Sequence, residues 1–171
     1  MGTSQREVTN WLFGTNKLKV KLIQIEITDD KSLLEACDIL HDASFDLSTL
    51  KYDEDMGTLN ALFKRDFLED PLLIKREQRF LLFEKISFPL IQSMLSLAGV
   101  QDFKIKDKSR IGTYMFLECE IVECSYQFVF CEDMKFTLRF EDNPKGYLSD
   151  EKLLDAKGTY YTFRNPFSRK I

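Results

Sequence analysis

Residues 134–141, MKFTLRFE, carry the reading from which the fold follows. Met134, Phe136, Leu138 and Phe140 alternate with Lys135, Thr137, Arg139 and Glu141. Side chains on a strand point to opposite faces in turn, so this stretch makes one apolar and one polar side. Upstream, 126–131 and a longer run over roughly 112–123 are strands by the same rule, and Phe103 and Ile105 alternate with Lys104 and Lys106. The breaks between these runs are short, as at Asp107-Lys108-Ser109-Arg110. Short connections join antiparallel neighbours, because a parallel pair needs a crossover of a dozen residues or more. Residues 100–141 are therefore an antiparallel scaffold with a shielded apolar side.

Working back toward the N-terminus, 79–88 (RFLLFEKISF) favours a strand through its aromatic and β-branched content. The stretch 89–99 fits two periods. Leu90, Ile91, Met94, Leu95 and Ala98 suit a helix with Pro89 at its first position and Gly99 past its end. Ile91, Leu95 and Leu97 suit one strand face, but Ser93 interrupts it, so helix is the expectation. Residues 72–79 are charged and ambiguous after the break at Glu69-Asp70-Pro71. Residues 49–66 form a hairpin around Asp53-Glu54-Asp55-Met56-Gly57, with Gly57 supplying the left-handed turn residue. A helix is expected over 32–43, with Ser32 and Glu35 at capping-box spacing and Leu33, Ala36, Cys37, Leu40 and Ala43 on its inner face. Residues 17–28 alternate, but the phase changes between Leu22 and Ile23, which requires a bulge there or cover on both faces. Toward the C-terminus, Asn143-Pro144-Lys145-Gly146 reads as a turn, and Ser149 caps a short helix through Lys157 that Gly158 stops.

The expected fold is α+β and β-dominant: a mostly antiparallel sheet of about six to eight strands with one to three helices packed on it. The triplet Glu-Asp-Met at 54–56 and again at 132–134 raises a second arrangement, two related β units. The 171 residues make a single compact domain over 1–171, with 1–16 as an N-terminal docking segment and 157–171 as a basic, aromatic C-terminal tail.

Composition bounds function more than it reveals it. The chain is 44% hydrophobic and 30% charged, with a net charge of −4, as in ordinary globular proteins. No apolar run approaches the ~18 residues of a membrane span. The acidic balance disfavours duplex DNA. A single histidine and the lack of a glycine-rich phosphate loop exclude most metal, acid–base and nucleotide designs, so no cofactor is expected. The first residues hold no apolar signal segment, which makes the cytoplasm the expected compartment and Cys37, Cys119, Cys124 and Cys131 free thiols. If 114–131 folds back near Ser125, Cys119 and Cys131 become cross-strand neighbours able to pair under oxidation.

Several residues invite a chemical role. Asp53-Glu54-Asp55 resembles a cation cluster, although adjacent side chains in an extended turn diverge. Cys37 and His41 lie one helical turn apart, which brings a thiol and an imidazole together but without a third member or oxyanion hole. Asp42, next in line on a helix, would point about 100° away from His41. Glu118 and Glu120 share a strand face, which is more often a solvent face than an acid–base pair. The most distinctive segment is the tail. From Lys157 to Ile171 it carries four basic residues and no acid, while the rest of the chain carries 20 basic and 28 acidic residues. Tyr160, Tyr161, Phe163, Arg164, Phe167 and Arg169 are its candidate ligand or partner contacts.

Three readings of function follow. The favoured one is a non-enzymatic binding or protein-interaction module that takes a protein partner through the tail. The second is a small hydrophobic-ligand binder with an aromatic β cavity, motivated by 15 phenylalanines. The third is a hydrolytic enzyme using carboxylates or Cys37 with His41. A homodimer through an edge strand such as 17–27 is a further expectation, and a membrane partner is not.

Overall fold

The computed structural model describes residues 4–9, 19–79 and 83–163. In chain order the elements are β1 (Ser4–Thr9), β2 (Lys19–Ile27), α1 (Asp30–Leu40), β3 (Ser44–Asp46), β4 (Lys51–Asp53), β5 (Thr58–Asp66), β6 (Lys75–Arg79), β7 (Phe83–Lys106), β8 (Thr113–Val122), β9 (Ser125–Phe130) and β10 (Lys135–Phe163). Short 3-10 turns occupy Leu47–Thr49 and Pro71–Leu73.

The fold is β-dominant and antiparallel. Strands run β10–β9–β8–β3–β5–β7, and β7 pairs back onto β10, which closes a six-stranded barrel. The barrel was not part of the sequence expectation, because closure is a long-range pairing between β7 and β10 that no local pattern announces. Closure removes sheet edges and leaves a shared interior for side chains. β2 and then β1 extend the sheet from β10, β6 adds to β7, and β4 adds to β5.

The interior is filled with aromatic rings. Phe45, Phe63, Phe116, Phe128, Phe130 and Phe136 are all buried. Phe136 stacks on Phe128 at 4.7 Å and tilts against Phe130 at 5.1 Å, while Phe45 meets Phe63 and Phe130 at 5.2 and 5.1 Å. Each large ring removes roughly 150–250 Å² from water, so this cluster makes a large contribution to the apolar burial. The alternation read over 134–141 holds: Met134, Phe136 and Leu138 are buried and Arg139 is exposed.

Helix α1 packs against β2, β8 and β10 with Leu33, Ala36, Cys37 and Leu40 buried. It starts two residues earlier than expected. The cap is Asp29, which accepts the Ser32 amide at 2.8 Å, and the Ser32 hydroxyl in turn accepts the Asp29 amide at 3.1 Å. The capping box is thus Asp29 with Ser32, not Ser32 with Glu35, since the carboxylate reaches the third amide one turn sooner. The helix ends at Leu40, ahead of residues 41–43.

The phase change in β2 is resolved by cover on both faces. Ile25 and Ile27 enter the main core, while Leu22, of opposite parity, joins Phe67 and Ile91 in a small second core. The pairing of β1 with β2 runs through this point without a register shift. Part of the expected N-terminal docking segment is therefore strand β1, and Trp11, Leu12 and Phe13 lie outside the described residues.

Two helices expected from the sequence are strands. Residues 89–99 belong to β7, where Ile91, Ser93, Leu95 and Leu97 all face inward and are buried. Ser93 does not interrupt that face; its hydroxyl has buried polar partners. Residues 149–157 belong to β10, and the expected turn at 143–146 is a kink within the same strand. Between Phe140 and Lys145 the register with β7 shifts, then pairing resumes at Lys145 opposite Ala98. Gly146 permits the kink: a Cβ there would sit 2.0 Å from the Ser96 carbonyl oxygen. Among the described residues α1 is the one α-helix, and the strands form one barrel with additions.

Candidate interaction surface

The strands β7 and β10 are 24 and 29 residues long. Their pairing runs from Lys135 opposite Lys106 in the barrel to Phe163 opposite Phe83 at the far end. Beyond Ser149, where the pairing with β2 ends, they continue with β6 as a three-stranded arm.

Register decides which residues share a face of the arm. Phe83 is opposite Phe163, Lys85 opposite Tyr161, and on the other side Lys75 is opposite Ser87. Directly opposed residues and their second neighbours share a face. Phe83, Lys85, Tyr161 and Phe163 therefore line one face together with Lys75 and Glu77 of β6, Glu77 lying directly opposite Lys85. Phe83, Tyr161 and Phe163 are 47%, 65% and 63% exposed, and the Phe83 and Phe163 rings meet edge to face at 5.8 Å. The opposite face carries Ile86 and Phe88, both buried, with Tyr160 against Phe88 at 5.7 Å. Gly158 opposes Phe88, whose ring fills the space a Cβ would take. Arg76 and Glu84 are paired at 3.5 Å.

A buried polar cluster fixes the arm to the barrel. Arg65 of β5 donates through Nη2 to Asp150 Oδ1 and Oδ2 of β10 at 3.0 and 2.8 Å. Its Nε donates to Ser93 Oγ of β7 at 3.2 Å, and Ser93 Oγ donates to Asp150 Oδ1 at 2.7 Å. The Ile23 amide of β2 donates to Asp150 Oδ2 at 2.9 Å, and Arg65 also pairs with Glu69. Four strands thus converge on one carboxylate, and among the described residues no buried side-chain polar atom lacks a partner. A satisfied, water-excluded cluster of this kind holds geometry rather than meeting substrate. Sequence reasoning missed it, because its members come from strands far apart in the chain. Its one local signal was a serine in the apolar phase of Ile91, Leu95 and Leu97.

Of the predicted contact residues, Tyr160, Tyr161 and Phe163 lie on β10, with Tyr161 and Phe163 on the aromatic–cationic face and Tyr160 on the other. Arg164, Phe167 and Arg169 lie outside the described residues. The first part of the expected tail, Lys157 to Phe163, is strand paired with β7.

The other candidates sit apart from the arm. Cys37 is buried in the main core, and Cys119 of β8 packs against that core. Contact with Cys119, then burial, pushes the Cys37 thiol well above its usual range. His41 Nδ1 lies 3.2 Å from Asp42 Oδ2, with both side chains largely exposed. The helical spacing that would separate them does not apply, because α1 has ended and Asp42 has φ +63°. Cys119 and Cys131 are not partners: Cys119 opposes Phe128, while the Cys131 amide bonds to Met115 and its sulfur accepts the Met115 amide. The turn is centred between Glu123 and Cys124 rather than at Ser125, so Val122 pairs with Ser125 and the same register sets Cys119 against Phe128. Glu118 and Glu120 are exposed. In the 53–57 turn Asp53 accepts the Met56 amide at 3.0 Å, and among the described residues no group of three His, Cys, Asp or Glu is placed to hold a metal. No helix among them is long and apolar enough to cross a membrane.

No protein-family model, curated protein or solved structure matches the chain.

Proposed function

We propose that the protein is a non-enzymatic interaction module, and that the aromatic–cationic face of its arm takes an acidic, extended protein segment. The observation that carries this reading is the alignment of Phe83, Tyr161 and Phe163, all exposed, on one face with Lys85 and Lys75 beside them and Glu77 as the one acid opposite Lys85. Rigid aromatic groups cost little conformational entropy when they bind and dominate contact surfaces, and cations among them favour an acidic partner. The surrounding chain is acidic, so the cationic residues mark where an anionic segment is least repelled. The interior of the barrel is packed with rings, which supports a surface role over a cavity for a small apolar ligand. Four free cysteines fit a reducing, cytoplasmic setting.

Photo-crosslinking in cells tests this. A photoreactive phenylalanine analogue placed at position 161 is expected to capture one protein. Placed at Met56 or Ile111, which are equally exposed on other surfaces, it captures none. Lys85→Glu is expected to cut the adduct from 161 several-fold. Equal capture from all three positions, no capture, or capture of nucleic acid overturns the proposal.

A further inference from the structure

From Lys157 to Phe163, β10 pairs with β7 without a register shift. Its other edge there carries no strand among the described residues, since β2 pairs with 146–149 and β9 with 135–138. Every second residue along such an edge turns its N–H and C=O outward, and that row of groups is a template for another strand. Proteins blunt open edges with a bulge, a charge or a proline. On β10 these devices lie upstream, in the register shift between Leu153 and Lys157 and in Lys157 itself. The six residues that follow, Gly158-Thr159-Tyr160-Tyr161-Thr162-Phe163, hold no charge and no proline. Five of the six are aromatic or β-branched, the composition that suits a paired strand. Lys157, Thr159, Tyr161 and Phe163 share one phase and are all exposed, with Lys85 opposite Tyr161.

We propose that the acidic segment taken by the arm binds as an added β-strand along the 157–163 edge of β10. This rests on the reading of the arm as a contact surface for an acidic protein segment, and it specifies where that segment lies and how it is held. Main-chain hydrogen bonds to the outward groups of β10 supply attachment, and alternate side chains supply selectivity. Residues of the added strand in the phase of Tyr161 and Phe163 lie beside those rings, where apolar side chains fit. An acid in the same phase meets Lys157, and a long acidic side chain reaches toward Lys85. A second copy of this chain is the rival occupant of an open edge. Its own 157–163 strip holds one lysine and no acid, so it brings nothing to answer Lys157 or Lys85.

The test maps adducts residue by residue. A photoreactive phenylalanine analogue is placed singly at 159, 160, 161, 163 and 75 of the full-length chain in cells, and the adducts are digested and sequenced by mass spectrometry. Strand addition puts the partner beside β10, so 160 and 161 are expected to capture the same segment although they face opposite ways. Position 75, on β6 and two strands or roughly 10 Å from β10, is expected to give several-fold less. Adducts from 159, 161 and 163 are expected to fall on partner residues two apart, in steady order, within an acidic stretch. Lys157→Glu is expected to cut the yield from 161 several-fold. Equal capture from 75 and 161 with none from 160 overturns strand addition, since the partner then lies across the face. Adducts to the chain's own 157–163 strip overturn it in favour of a second copy, and adducts scattered without order overturn it as well. No adduct from 161 at all overturns the reading of the arm itself, and strand addition with it.

Discussion

The barrel and the arm are built from the same two strands and are held together in different ways. In the barrel, β7 and β10 enclose a ring-filled core in which Phe45, Phe63, Phe116 and Phe136 are fully buried. In the arm, Ile91 of β7 joins Leu22 and Phe67 in a small second core, with Leu73 and Leu153 at its margin, and Ile86 and Phe88 are buried on one face. Apolar burial is sparser there than in the barrel, and the Arg65–Ser93–Asp150 cluster adds directional bonds across β5, β7 and β10. The lesson is that a continuous strand does not imply a continuous core. Where side-chain burial thins out, charge pairing carries the register and leaves aromatic rings free to face solvent.

The largest expected effect breaks that division. Asp150→Ala leaves Arg65 buried without its main counter-charge, which costs about 3–5 kcal/mol. Phe136→Ala in the barrel costs a similar ~3–5 kcal/mol through its cavity. Hydrogen exchange tells the two apart. Asp150→Ala is expected to speed exchange in 83–92 and 151–163 while the barrel stays protected, and Phe136→Ala to speed it throughout. The double change Arg65→Met with Asp150→Leu is expected to recover most of the loss, since neither charge remains to be desolvated. Matching exchange patterns for the two single variants would erase the distinction between the regions.

A smaller effect compares two glycines of β10. A Cβ at Gly146 meets the Ser96 backbone oxygen at 2.0 Å, while one at Gly158 meets the Phe88 ring at 2.0 Å. A ring turns and a backbone does not. Gly146→Ala is expected to lose more than the ~1–3 kcal/mol usual for overpacking, and Gly158→Ala to stay within it. Denaturant unfolding measures both, and the reverse order would show that the kink is pliable.

The smallest effect is a pH dependence that belongs to the barrel side. The Ser32 amide, then its hydroxyl, hold the Asp29 carboxyl below its usual range, and the Tyr114 hydroxyl, then the Arg110 amide, do so for Asp107. A folded-state value below the unfolded one means that the stabilisation is complete above the ordinary carboxylate range near pH ~4 and fades as pH falls through the lowered values. Melting temperature should therefore decline on acidification below that range. Asp29→Asn keeps a capping oxygen but cannot titrate, so its decline is shallower. An unchanged acid limb in this variant would remove Asp29 from the account.

The strands over 100–141 were legible because each shows a full period-two pattern with one wet face, and the hairpin tip at Gly57 was legible from its turn chemistry. Residues 89–99 were not, because β7 there has β5 on one side and β10 on the other, and its inward phase includes Ser93. Residues 149–157 were misread for a related reason: register shifts between Asp150 and Lys152 and between Leu153 and Lys157 break the alternation that a strand would otherwise display. Of the candidate surface, Tyr161 and Phe163 were singled out by composition. Phe83 and Lys75 were not, since nothing local says which strand will lie opposite.

The amino-acid sequence by itself determined the β character of this chain, its antiparallel connections, the shielded phase of 134–141 and a cationic, aromatic C-terminal segment. These follow from periodicity, turn residues and charge, which are properties of neighbours along the chain. Only the tertiary structure decided the closure of β7 on β10, the burial of Arg65 with Asp150, and the sharing of one face by Phe83 and Phe163. Each of these joins residues far apart in the chain, and their proximity comes from global packing, in which a one-residue slip of register would turn every side chain to the other face.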